Sequence, residues 1–130
     1  MEKKIIVDTD VLIDYLDESK ARHEKTVTIL ENGNLVISIT SITAMELIVG
    51  AINKTHLAKI NKELRAFLII LPSHEISLLS LKLLQEYNLS HGLQIQDCFI
   101  AATAIFMGIQ LFTYNIKDFK FIDGLDLYKF

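Results

Sequence analysis

The chain has 130 residues, with 13 basic and 16 acidic side chains giving a formal net charge of -3, one cysteine and one proline. A chain of this length suits one domain, here spanning 1–130, that buries roughly two thirds of its unfolded surface. The lone cysteine excludes an internal disulfide, the charge gives no overall basic footprint for a high-affinity, sequence-reading DNA binder, and no apolar run reaches the roughly 18 to 20 residues that span a bilayer.

Hydrophobic residues make up 51% of the chain and the mean hydropathy is +0.35, a composition that disfavours disorder. It is also more apolar surface than a small domain hides, so a protein partner is expected to cover part of it. The N-terminal "MEKK" runs into only a short apolar "IIV", unlike a secretory signal. With the single cysteine, this points to the cytoplasm and to no membrane partner.

In chain order, "KKIIVD" (3–8) predicts a short buried strand. "TDVLIDYLDES" then changes to helical spacing, with Val11, Leu12, Tyr15 and Leu16 on one face, an apolar stripe expected to meet a partner chain. "ARHEKTVTILENG" predicts a second helix stopped at Gly33, followed by a strand at 35–38 and a helix from Ser41 to Ile52. Leu57, Ile60, Leu64, Phe67 and Leu68 form the stripe of another helix, and "LIILP" (68–72) predicts a strand ending at the proline. "EISLLSLKLLQEYNL" repeats the helical pattern. A loop "SHGLQIQ" leads to a buried helix over "DCFIAATAIFMG" (97–108), then a strand at 109–114 and the turn "NIKDF". Strands alternating with helices predict an α/β fold, a mainly parallel sheet with helices on both faces.

The acids fall at one edge of such a sheet. "IIVDTDVLIDYL" (5–16) places Asp8, Asp10 and Asp14 among apolar residues, where an unpaired carboxylate costs several kcal/mol to bury. Asp8 ends the first strand, Glu46 rides the helix after the second, Asp97 opens the 97–108 helix, and Asn115 and Asp118 follow the last strand. Ligands of open α/β sheets bind outside these strand ends. Glu46 has Ala44, Met45, Leu47, Ile48 and Val49 around it and no Lys or Arg partner in its helix, which predicts a buried acid in need of a cation. Oxygen ligands without His or Cys suit Mg²⁺ or Mn²⁺, and with them hydrolysis of a phosphodiester. Asp10 is read as a cap or first-turn acid of the first helix, and Asp14 as solvated or supporting the cluster.

"VDTDVLIDYL", the Glu within "TSITAMELIVGA", "IQDCFIAATAIFMG" and "LFTYNIKDFKFIDGLDLY" together resemble the PIN-domain ribonucleases, most closely the VapC-type toxins of toxin–antitoxin pairs. The resemblance covers nearly the whole chain. It implies a three-layer α/β/α fold and a metal-dependent endoribonuclease that cuts RNA, is held inactive by a cognate antitoxin, and commonly pairs as a homodimer. Asp8, Glu46 and Asp97 match the first three acidic positions, and Thr9 the hydroxyl beside the first. The fourth position is ambiguous between Asn115, which lacks a charge, and Asp118. Asn115 is expected nearer the metal because it directly follows the strand.

Each residue alone has a plainer reading. Asp8 and Asp97 could cap the helices they precede, Glu46 could find a partner elsewhere, and Lys54, His56, Lys59, Lys62 and Arg65 form a solvated helix face before an RNA contact. Tyr114 and Phe119 could stack on a base, although Phe119 reads more readily as core, and His91 as a loop residue. Two rival functions remain. A haloacid dehalogenase-type phosphohydrolase is loosely echoed by "DTDVLID", but Val11 stands where that motif needs glycine. A degenerate PIN domain that binds RNA or its partner without cutting is kept alive by Asn115.

Overall fold

The computed structural model describes residues 2–130. Four strands, β1 (Lys3–Val7), β2 (Leu35–Thr40), β3 (Leu68–Ile70) and β4 (Gln110–Phe112), form one sheet in the order β3-β2-β1-β4, every neighbouring pair parallel. Six helices separate them: α1 (Thr9–Leu16), α2 (His23–Asn32), α3 (Ser41–Val49), α4 (Lys54–Leu64), α5 (His74–His91) and α6 (Ile95–Met107). The α/β class and the parallel sheet expected from the alternation are therefore found.

The two-residue period of a strand explains the layering. Ile5 and Val7 point into a core with Val11, Leu12, Leu30, Ile39, Leu47, Leu64 and Phe112, contributed largely by α1 to α4. Ile6 points the other way, into a core with Ile76, Leu83, Ile100, Ala101 and Leu111 from α5, α6 and β4. Ile5, Ile6 and Val7 are all fully buried, as a parallel strand covered on both faces requires. Chain entry and exit at β4 are sealed by the C-terminal segment: Leu111 N–H donates to the Asp126 carbonyl at 3.0 Å and Tyr128 N–H to the Leu111 carbonyl at 2.8 Å, which covers that sheet edge.

Several boundaries move. The expected 109–114 strand is only Gln110–Phe112, because Thr113 and Tyr114 turn toward α1 instead of continuing the ladder. α5 runs on to His91 and stops at Gly92, whose φ of 71° suits only a residue without Cβ penalty, and α6 starts at Ile95. The loop is thus three residues, and Asp97 lies in the first turn of α6 rather than ahead of it. Gly33 does stop α2, although its φ is -81°; a Cβ there would meet the Ile29 carbonyl oxygen at 2.8 Å, so space and not handedness demands glycine.

The apolar stripe on α1 is open to a partner only at its C-terminal end, where Leu16 lines a groove. Val11 and Leu12 are fully buried in the core, and Tyr15 and Leu16 are half-buried. One group of exposed apolar residues, Met45, Ile48, Val49 and Ile52, lies on and just beyond α3; α1 itself exposes Ile13, and others lie on β3, α5 and α6. Asp14 is not solvated, and it reaches the other acids through Arg22, whose charge pulls the Asp10 carboxyl down against its burial. It is buried, its Oδ2 accepts from Arg22 Nε at 2.7 Å, and its carbonyl accepts from His23 Nδ1 at 2.9 Å, which pins the α1–α2 turn. Removing the guanidinium leaves a buried carboxylate alone, so Arg22→Ala should lose about 1–3 kcal/mol, seen as a lower melting temperature.

Candidate active site

The chain moves from β1 outward to β2 and β3, then crosses back to place β4 on the other side of β1. The connection from β1 leads one way, to β2, while the connection into β4 arrives from β3 on the other side, and this reversal opens a crevice at the carboxyl ends of β1 and β4. Asp8 is the first residue past β1, held there by its N–H on the Phe112 carbonyl at 2.9 Å. It also caps α1: Oδ1 accepts from Thr9 N–H at 2.8 Å, while Oδ2 accepts from the Thr113 hydroxyl at 2.8 Å. Capping and membership of an acid cluster are therefore not alternatives for this residue. Burial, then the charge of Asp10, push the Asp8 carboxyl up to about 7 against the weaker pull of the Thr113 and Thr9 hydrogen bonds, with Asp97 adding to the rise.

Asp10 was not expected in the site and is part of it. Its Oδ1 accepts from Val11 N–H at 2.7 Å and its Oδ2 from Tyr114 N–H at 3.1 Å, so it ties α1 to the segment after β4. Burial raises its pKa in spite of those donors. Thr113 was also missed. Its hydroxyl donates to Asp8 and accepts from Asn115 N–H at 3.0 Å, linking the first acid to the last turn. The repeat of acids at 8 and 10 could have flagged Asp10; nothing in hydropathy marks Thr113.

Glu46 reaches the same edge by another route. Thr9 Oγ1 donates to Glu46 Oε1 at 2.8 Å and lies 3.0 Å from Thr43 Oγ1, which must then be the donor of that second bond. The expectation of a buried, unpartnered Glu46 is overturned: it is exposed and bonded to Thr9. The apolar residues around it misled because Met45, Ile48 and Val49 are themselves exposed.

Asp97 is half-buried, and burial followed by the charges of Asp118, Glu46 and Asp10 pushes its carboxyl up to about 6. Asp118 and Asn115 are both exposed, in and just before the short 3₁₀ turn Ile116–Asp118. The largest charge acting on Asp97 is thus Asp118, and it is the backbone of Asn115 that is tied into the cluster, through Thr113. Phe119 is core, at 1% exposure. The ring of Tyr114 has the Arg22 guanidinium over it at 4.0 Å and its hydroxyl is 2.7 Å from Thr26 Oγ1, so neither aromatic offers a free face to a base. His91 stacks on Phe121 with ring centroids 4.2 Å apart. Lys54, Lys59, Lys62 and Arg65 are exposed, and His56 accepts from Ile52 N–H at 3.1 Å. A groove of about 630 Å³, lined among others by Ile13, Leu16, Leu47, Ile60, Lys59 and Glu46, opens between α1, α3 and α4 beside the acids.

The donors around Asp8 and Asp97 are oxygens alone. Among the described residues, no three His, Cys, Asp or Glu side chains are gathered tightly around one point. Mg²⁺ and Mn²⁺ do not require that, since Mg²⁺ keeps several waters and takes one or two carboxylates directly. Acids that raise one another's pKa, eased at Asp10 by the Arg22 guanidinium, are the chemistry that such an ion would relieve further.

The chain has close relatives. It is 36% identical over 131 residues to Ribonuclease VapC1 of Methanocaldococcus jannaschii, covering 98% of this chain and 88% of that protein. Among solved structures it matches a toxin–antitoxin complex from Klebsiella pneumoniae with a TM-score of 0.75, 33% identity, and 97% and 99% of the two chains covered. It also matches VapBC2 from Rickettsia felis bound to a DNA fragment from its promoter, with a TM-score of 0.77, 26% identity and 98% of each chain covered. The sequence model of the PIN domain matches residues 5–125, and the chain belongs to the PIN-domain family.

Proposed function

We propose that this protein is an endoribonuclease that uses Mg²⁺ or Mn²⁺ to hydrolyse RNA phosphodiester bonds, and that it is the toxin of a toxin–antitoxin pair. The observation that carries the reading is the convergence of acids that raise one another's pKa at the β1/β4 crevice, with Asp8 and Asp97 raised to about 7 and about 6. The naming of a relative as a ribonuclease and of a structural neighbour as a toxin–antitoxin complex supports it. Asp8, Glu46 and Asp97 would hold the ion. Bound there, it supplies charge neutralisation of the phosphodiester, an activated water and stabilisation of the leaving oxygen.

The chain's own groups do the positioning. Thr9 N–H and the Thr113 hydroxyl fix both Asp8 oxygens, and the Thr9 hydroxyl orients Glu46 Oε1. Asp10 holds the Tyr114 backbone, and so the turn that carries Asn115 and Asp118, against α1. The groove beside Glu46 suits an antitoxin segment with apolar and charged side chains, and the exposed apolar residues of α3 suit a second copy in a homodimer.

Incubating the purified chain with RNA, with and without Mg²⁺, tests the reading: cleavage that EDTA abolishes is expected, and intact RNA in Mg²⁺ would sink it. For the fourth position, Asp118 is favoured over Asn115 by its charge on Asp97. Asp118→Ala should lower cleavage about 10-fold or more, and Asn115→Ala by less, since Thr113 is held by the Asn115 backbone and not its side chain. The reverse order in initial rates would return the role to Asn115.

A further inference from the structure

The buried Asp14 raises a question that the acid cluster does not answer. It takes only Nε of Arg22, at 2.7 Å, in a single-point contact, whereas arginine and carboxylate commonly pair through two parallel bonds. One face of the guanidinium lies 4.0 Å over Tyr114. The two Nη groups have no protein acceptor among the described residues, and the side chain is 46% exposed. An arginine needed only to neutralise Asp14 could be a lysine. What is seen is a guanidinium oriented by an acid on one side and a ring on another, with its donor fork turned outward.

Lys25 lies three residues on, in the first turn of the α2 helix that Arg22 caps. Its Nζ is 4.9 Å from the Phe130 ring centroid and 5.5 Å from that of Tyr114, and it has no carboxylate partner among the described residues. Both cations adjoin the acid crevice, because the same Tyr114 donates its N–H to Asp10 Oδ2 at 3.1 Å. A chain of net charge -3 that gathers acids at its site repels RNA there, so cations beside the crevice are what can hold the strand.

We propose that Arg22 and Lys25 bind backbone phosphates of single-stranded RNA next to the cleaved bond, with Asp14 and Tyr114 acting to orient the Arg22 fork. This rests on the ribonuclease reading above. A guanidinium fork matches two phosphate oxygens, while Lys25 acts as a point charge. Neither residue touches the reacting atoms, so both serve to bind substrate, and their loss should appear in KM rather than in kcat.

The test measures steady-state cleavage of a single-stranded RNA oligonucleotide in Mg²⁺, and its binding in EDTA across a salt series, for wild type, Lys25→Ala and Arg22→Lys. Lys25→Ala should raise KM about 5-fold or more with kcat within about twofold, and reduce the slope of log Kd against log salt by about 0.7, one phosphate contact. Arg22→Lys keeps the charge and a partner for Asp14, so it should raise KM similarly with the salt slope and melting temperature near wild type. If Arg22→Lys does not fold, Lys25→Ala decides alone. Wild-type KM and salt slope in the folded variants would overturn the inference and leave Arg22 as the partner of Asp14 only. A wild type that neither binds nor cuts RNA is a different failure, that of the ribonuclease reading, and takes this inference with it.

Discussion

Asp97→Asn is expected to lower RNA cleavage by roughly 100-fold or more while leaving the fold intact. Asp97 sits in the first turn of α6, half-buried, and it feels Asp118, Glu46 and Asp10. The amide has the same shape, removes the charge that would hold the cation, and leaves Cys98, Ile100 and Ala101 packed as before. It also removes a repulsion, so the melting temperature in metal-free buffer should hold or rise slightly. The two measurements together are decisive: activity lost with stability kept assigns Asp97 to the site, whereas activity at the wild-type level removes it. A variant that loses both would mean that the carboxylate supports the start of α6, where an acid also favours the helix dipole.

The alternation of strands and helices, the parallel sheet and the approach of Asp8, Glu46, Asp97 and the 115–118 turn to one edge were legible in the sequence, because they follow from hydrophobic period and strand order. What was illegible depends on contacts between distant segments. Val11 and Leu12 look the same in sequence whether they face a partner or Leu30 and Ile39, and only the position of α2 and β2 decides it. Glu46 looked buried because its neighbours are apolar, but apolarity measures a residue's preference and not the presence of a covering layer. The roles of Asp10 and Thr113 arise from hydrogen bonds across 104 and 105 residues of sequence, which no local pattern encodes. The shortened β4 has the same cause, since those bonds take the place of two further ladder residues.

In metal-free buffer the melting temperature should rise as pH is lowered from 8 to 6, and Asp8→Asn should remove much of that rise. The Asp8 carboxyl stands at about 7 in the folded chain against 3.8 ordinarily, so between those values the native state keeps a proton that the unfolded chain releases. Stability from this group therefore falls as pH climbs through that window, and above about 7 the native state carries the full cost of a buried charge beside Asp10, on the order of 4 kcal/mol. Asp97, raised to about 6 by burial and its acidic neighbours, acts in the same direction over a narrower range. At pH 8 Asp8→Asn should accordingly melt roughly 5–10 °C higher than wild type in EDTA. Mg²⁺ binds the native state by relieving the same repulsion, so millimolar Mg²⁺ should raise the wild-type melting temperature at pH 8 and raise that of Asp8→Asn much less. Thermal scans in EDTA and in Mg²⁺ at both pH values give all four comparisons. In Asp8→Asn the one amide oxygen can keep the Thr9 N–H bond, but the NH2 group then faces the Thr113 hydroxyl that Asp8 Oδ2 accepts from, and that lost bond would lower the melting temperature at every pH without changing its slope. If the slope with pH and the Mg²⁺ response are the same in both proteins, Asp8 shares neither its charge nor an ion with the other acids, and the β1/β4 crevice is not a metal site.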